Sequence, residues 1–202
     1  MKNLRNLTKS QEALLVMSMN PISMGMIKPP GDYDADIAVS EGQPLGISLN
    51  FGGPSVGLFT CKQQFLRQMP GRIVGRTTDT RGKTGYVLTL QTREQHIRRE
   101  RATSNICTSE ALMNLATASY LGALGPQGIR QVAELCYHKA HYLASQIASL
   151  PNFSLPISGN FFNEFVIQCP HPPSTINQKL LEEGIIGGLD ITTQIPNGML
   201  VC

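Results

Sequence analysis

The sequence predicts an α/β fold, and three observations predict it. Short apolar runs at 13–19, 36–39 and 56–61 show little polar alternation and are separated by Gly/Pro clusters, which is how strands covered on both faces read. Apolar residues recur at helical spacing over 126–149. The last forty residues repeat a strand, helix, strand order on a smaller scale.

Each element has a local reason. The run 13–19 is closed by Asn20-Pro21, and the run 36–39 follows the breaker cluster Pro29-Pro30-Gly31-Asp32. The run 56–61 follows the turn Gly52-Gly53-Pro54. Residues 72–77 and 85–90 are β-rich and flank the polar, glycine-containing stretch 78–84, so they are expected to form a hairpin. Within that stretch Gly82-Lys83-Thr84 imitates the end of a phosphate-binding loop, but Thr77 stands where that loop needs a glycine. Glu94 with Arg98, and His96 with Glu100, have the i,i+4 spacing that supports a short helix over 93–101. Ser109 is placed to cap a helix reaching about Gly122, with Leu112, Leu115, Ala116 and Ser119 as its packing stripe. Gly125-Pro126 starts the long helix, which packs Val132, Leu135, Ala140, Leu143 and Ile147 and ends before Pro151-Asn152. A strand over 164–168, a helix capped by Ser174 and running to Glu183, and a break at Gly187-Gly188 before a final strand complete the chain.

Composition narrows the function classes. The 202 residues suffice for one domain or two small ones. A net charge of +3 without a clustered basic face gives no reason to expect nucleic acid as a partner. Cys61, Cys107, Cys136, Cys169 and Cys202 form no Cys-x-x-Cys pair, so reduced thiols in the cytoplasm are expected, with no metal site. No apolar run approaches a membrane span, and Lys2 and Arg5 precede no signal-like apolar stretch. An apparent strand near each end leads to the expectation of a C-terminal half of a longer polypeptide, or a truncated chain.

The segment 93–108 holds the densest chemistry: Arg93, Arg98, Arg99 and Arg101 on a charged helix, then Thr103, Ser104, Asn105 and Thr108. The arginines suit a substrate carboxylate or the acids of a partner, and equally a solvated ion-pair helix. The hydroxyls and amide suit phosphate oxygens, but Ser and Asn are also ordinary turn residues. His96 has no nucleophile near it in sequence, and a structural role is expected.

Taken with Gly42-Gln43-Pro44-Leu45-Gly46-Ile47 and Phe51-Gly52-Gly53-Pro54, this segment resembles subunit 1 of the two-subunit glycine dehydrogenase (decarboxylating), the P-protein of the glycine cleavage system. The resemblance runs from about Ala13 to Cys202. It implies the aspartate-aminotransferase-type fold of pyridoxal-phosphate-dependent transferases (fold type I), with 1–125 the end of the large domain and 126–202 most of the small one. Such enzymes hold the cofactor on a lysine that follows a sheet strand. Counted back from the Gly-Gly-Pro turn of the catalytic subunit 2, that position falls on Gln43, and no lysine lies between Lys28 and Lys62. Gln43, Gly46, Gly52 and Gly53 are then a vestigial cofactor loop. The resemblance implies pyridoxal phosphate on subunit 2, not covalently on this chain, and the lipoyl group of H-protein as acceptor. It also implies a hetero-oligomer of two subunits 1 and two subunits 2, with Thr103, Ser104, Asn105 and Thr108 reaching the phosphate across the interface. The alternative is a self-sufficient pyridoxal-phosphate decarboxylase or lyase in which Lys28 or Lys62 takes over.

Overall fold

Strand β2 (Ile37–Glu41) is the centre of the first of two units, Met1–Gly125 and Pro126–Cys202, in a computed structural model that describes residues 2–90, 95–102, 104–106 and 110–202. On one side β2 pairs in parallel with β1 (Val16–Ser18), Val16 opposite Ile37. On the other it pairs antiparallel with β3 (Gly57–Cys61), Ile37 opposite Cys61 and Glu41 opposite Gly57. A parallel pair needs a crossover. Here the crossover is built from two 3-10 turns, Pro21–Gly25 and Pro30–Tyr33, each opened by a proline whose missing N–H costs nothing at a helix start. Asn20 caps the first by accepting the Ile22 N–H at 2.9 Å. Leu15, Ile22, Ala38, Leu45 and Val56 are the buried apolar residues around this sheet.

Three features of this unit depart from the sequence reading. A helix, α1 (Lys2–Ser10), precedes β1 and was not anticipated. Leu4 and Leu7 on it are exposed, while the Arg5 side chain is largely covered. The first strand is shorter than the apolar run 13–19. The helix expected over 93–101 is α2 (Gln95–Arg98) followed by a separate 3-10 turn, Arg99–Arg101, because Arg98 leaves helical geometry at φ −144°, ψ 84°. Arg93 and Glu94 lie outside the described residues, as does Ser109, the expected cap.

The hairpin forms where expected, from β4 (Ile73–Thr78) and β5 (Thr84–Thr89), Thr78 opposite Thr84. Asp79 Oδ1 accepts the N–H groups of Arg81 and Lys83, both at 2.8 Å, and so closes the loop. Helix α3 (Ala111–Ala148) is interrupted at Gly125, with φ 61° and ψ −176°, and Pro126 opens its second run, as the Gly-Pro pair predicts.

The second unit packs the later part of α3 on a sheet of order β6-β8-β7, antiparallel throughout: β6 (Phe165–Gln168), β7 (Leu189–Asp190) and β8 (Gly198–Val201). Ala140 and Ala144, one turn apart on α3, meet Phe165, Ile167, Cys169 and Met199 in its core. Helix α4 (Pro173–Glu182) starts one residue before Ser174, with Pro172 at the cap position and Pro173 fully buried. Ser174 therefore sits inside the first turn and is not the cap. Proline is well suited to the first helical position, and that preference decides the start.

Candidate functional site

The chain leaves β2 at Glu41 and enters a loop that carries Gln43, Gly46, Gly52 and Gly53. Gly42 N–H donates to the Val56 carbonyl at 2.7 Å, closing the loop back onto the segment before β3. A methyl at Gly42 would stand 2.8 Å from that same oxygen. Gly46 has φ +87°, and a side chain there would press on the Tyr120 ring at 2.7–2.8 Å, so both conformation and space require glycine. Gly52 and Gly53 also have positive φ, beside an exposed Phe51. The loop is tight at Gly42 and Gly46 and open at Gly52 and Gly53, where nothing lies within 4 Å of an added Cβ.

Gln43 is half-buried within it. Its own N–H donates to Glu41 Oε1 at 2.9 Å, and its side-chain Nε2 reaches the Ser48 carbonyl at 3.5 Å. Glu41 Oε1 also accepts the Ser55 hydroxyl, and this bond, with the Gln43 N–H, holds the Glu41 carboxyl below its ordinary range. An amide cannot act as the amine nucleophile that an imine linkage requires. The residues present in this loop therefore do not fit covalently held pyridoxal phosphate.

Lys62 does not fill that gap. Its ammonium lies 2.5 Å from Asp34 Oδ1 and 2.9 Å from Asp36 Oδ1, and donates to the Asp34 carbonyl at 3.1 Å. Arg5 completes the cluster, with Nε 2.9 Å from Asp34 Oδ2 and one terminal nitrogen 2.6 Å from Asp36 Oδ2. Lys9 joins Asp34 at 2.9 Å. The two carboxylates, Asp34 before Asp36, push the Lys62 amine upward and keep it charged, the reverse of an activated amine. Burial alone would raise the Asp36 carboxyl, but Lys62, the Leu15 N–H and Arg5 hold it at about 2. Asp34 is held low by Lys62, Lys9 and Arg5. Lys62 follows Cys61, which faces Ile37 at the start of β2, whereas Gln43 lies beyond Glu41 at its far end. Four strand steps, roughly 13 Å, separate those ends.

This ion cluster escaped the sequence reading. Its signal is the pair Asp34 and Asp36 at the approach to one strand, with a lysine just past the end of the strand's antiparallel neighbour. The turn after α2 behaves more simply. Gln95 donates through Nε2 to Asn105 Oδ1, and Ser104 Oγ accepts the Ile106 N–H at 3.4 Å. Among the described residues no hydrogen bond joins Ser104 or Asn105 to the 42–54 loop, so the structure brings Gln43, Gly46, Gly52 and Gly53 into one loop but does not connect them with this turn. Arg98 and Arg99 are exposed. Arg93, Thr103 and Thr108 lie outside the described residues. Among the described residues no group of His, Cys, Asp or Glu side chains is placed to hold a metal ion, and no helix is long and apolar enough to cross a membrane.

Comparison with known proteins gives a consistent result. A family model described as glycine cleavage system P-protein matches residues 1–202. A chain of Thermomicrobium roseum named probable glycine dehydrogenase (decarboxylating) subunit 1 is 54% identical over 193 residues, covering 94% of this chain and 43% of its own length. A chain of the same name from Chlorobium limicola is 56% identical over 189 residues, with the same two shares. The sequence thus spans about 43% of the length of these curated relatives. A crystal structure of glycine decarboxylase (P-protein) of the glycine cleavage system, in inhibitor-bound form, superimposes with a TM-score of 0.92 at 42% identity, over 96% of this chain and 45% of that one. The Lactobacillus brevis glutamate decarboxylase, at 17% identity and a TM-score of 0.58, shares the fold alone. That fold is the α/β fold type I of pyridoxal-phosphate-dependent enzymes.

Proposed function

The chain belongs to the glycine cleavage system P-protein family, and on that premise we propose that it serves as the non-catalytic subunit of a glycine decarboxylase. In this reading the cofactor, pyridoxal phosphate, is held by subunit 2 and supplies the electron sink for decarboxylation. The complex releases the carboxyl group of glycine as carbon dioxide and passes the aminomethyl group to the lipoyl arm of H-protein. This chain contributes walls and contacts, in an assembly of two subunits 1 and two subunits 2. The exposed Arg98, Arg99 and Asn105, together with Arg93, Thr103, Ser104 and Thr108, are its contacts toward the partner's site. Placement in the cytoplasm accords with the free thiols of Cys61, Cys136, Cys169 and Cys202.

One observation carries the proposal. The loop after β2 carries Gln43, whose amide forms no imine, at the position that the resemblance to the catalytic subunit gives to the cofactor lysine, and Lys62 is tied to two carboxylates at the opposite end of the strand. Reconstitution tests it. Exchange of labelled bicarbonate into the carboxyl group of glycine, measured with H-protein, is expected to be negligible for this chain alone and for subunit 2 alone, and to appear when both are mixed. Full exchange by subunit 2 without this chain would contradict the reading.

A further inference from the structure

We propose that α1 is a detachable strap, fastened to the first unit by charge with Arg5 as its anchor, whose release uncovers Asp36 and Lys62. A nine-residue helix is too short to persist alone in water, where about 12–15 residues are needed, so α1 owes its form to whatever holds it. Apolar packing does not hold it: Leu4 is 45% exposed and Leu7 58%, and of the side chains described on α1 only Arg5 and Thr8 are half-buried. The Thr8 hydroxyl turns back within the helix and donates to the Arg5 carbonyl at 3.0 Å. Among the described residues, the side-chain bonds that cross from α1 to the rest of the unit are those of Arg5 and Lys9. Arg5 donates through Nε to Asp34 Oδ2 at 2.9 Å and through its two terminal nitrogens to the two oxygens of Asp36 at 2.6 and 3.1 Å. This two-pronged contact on a buried carboxylate is the strong one, and Lys9 on the half-exposed Asp34 is the weak one.

The chain also provides a hinge. Gln11, Glu12, Ala13 and Leu14 are all exposed, and Glu12 turns at φ +52°. The fixed part begins at Leu15, which is buried and whose N–H donates to Asp36 Oδ2 at 2.8 Å. Swinging α1 away about this linker breaks no strand pairing, because the pairing of β1 starts at Val16. Lys62 and the Leu15 N–H stay on Asp36, so the carboxylate keeps two partners when Arg5 leaves. The site changes sign: two acids against three cations become two acids against Lys62 alone. Asp36 and Lys62 also line a cavity of about 490 Å³ beside the sheet, together with Met19, Met24, Ala38 and Phe59, so release leaves that cavity with an acidic end.

Hydrogen exchange of this chain across a salt series, with lysine labelling by an amine reagent, tests the strap. In about 1 M salt, where exposed charges are screened beyond about 3 Å, the amides of α1 are expected to exchange about tenfold faster than in low salt, while those of β2 keep their protection. Labelling of Lys62 is expected to rise in step. Arg5→Gln should free α1 already in low salt, and Lys9→Gln should give a smaller change, both with β2 protected as in the wild type. Unchanged protection of α1 in high salt and in Arg5→Gln would overturn the proposal. Loss of β2 together with α1 in the wild-type salt series would overturn it too, because the helix would then belong to the cooperative core. Should Arg5→Gln fail to fold, the wild-type salt series and Lys9→Gln decide between these outcomes.

Discussion

Asp36 is a buried carboxylate, 3% exposed, that binds three elements at once: Arg5 on α1, the Leu15 N–H beside β1, and Lys62 past β3. Its charge is stable there because cations and an N–H replace the lost water. Replacing it with Asn removes one of the two carboxylates that Arg5 and Lys62 share, with Asp34 remaining, and is expected to destabilise the first unit by roughly 1–3 kcal/mol, read from denaturant unfolding. The sign of the pH dependence follows. With the folded carboxyl at about 2 against an ordinary 3.8, this stabilisation is present above pH 3.8 and is lost as pH falls toward 2. Acid unfolding of the wild type should therefore steepen in that window, and Asp36→Asn should make the loss shallower there. The absence of a lysine between Lys28 and Lys62 was legible in the sequence because it is visible without coordinates. The Arg5–Asp36 pair was not, because its members are 31 residues apart and neither belongs to a motif.

At the scale of elements, what could be read was whatever local chemistry dictates. The hairpin is announced by β-rich runs on either side of a turn, and the division of α3 by Gly125-Pro126. Helix α1 has no apolar face toward a core; an arginine and a lysine hold it, so hydrophobic periodicity passes over it. The start of α4 was misread because a serine next to prolines looks like a cap until the backbone is seen. The Gly187-Gly188 pair was read as a break and proves to be a close approach as well. Asn177 Nδ2 donates to the Gly188 carbonyl at 2.9 Å, and a side chain at Gly188 would collide with the Leu200 carbonyl and with Met199. Gly188→Ala is expected to destabilise the second unit by about 1–3 kcal/mol. Hydrogen exchange should show the loss at β7 and β8 before the later turns of α3; unchanged protection of β8 would speak against the collision.

For the whole molecule, the fold class came from the order of elements and the family from motifs, but neither reveals which apolar surfaces around the first sheet stay exposed. Strand β1 pairs only with β2 among the described residues, and Leu14, Val16 and Phe59 are exposed around that sheet. Such surfaces are ordinary in a chain that works within a larger assembly. The central claim is that this chain holds no cofactor of its own, and borohydride reduction in the presence of pyridoxal phosphate, followed by peptide mapping of this chain mixed with subunit 2, tests it most directly. The expected result is a stoichiometric pyridoxyl-lysine on subunit 2 and none on this chain. A single stoichiometric adduct on this chain, at Lys28 or Lys62 for instance, would contradict it.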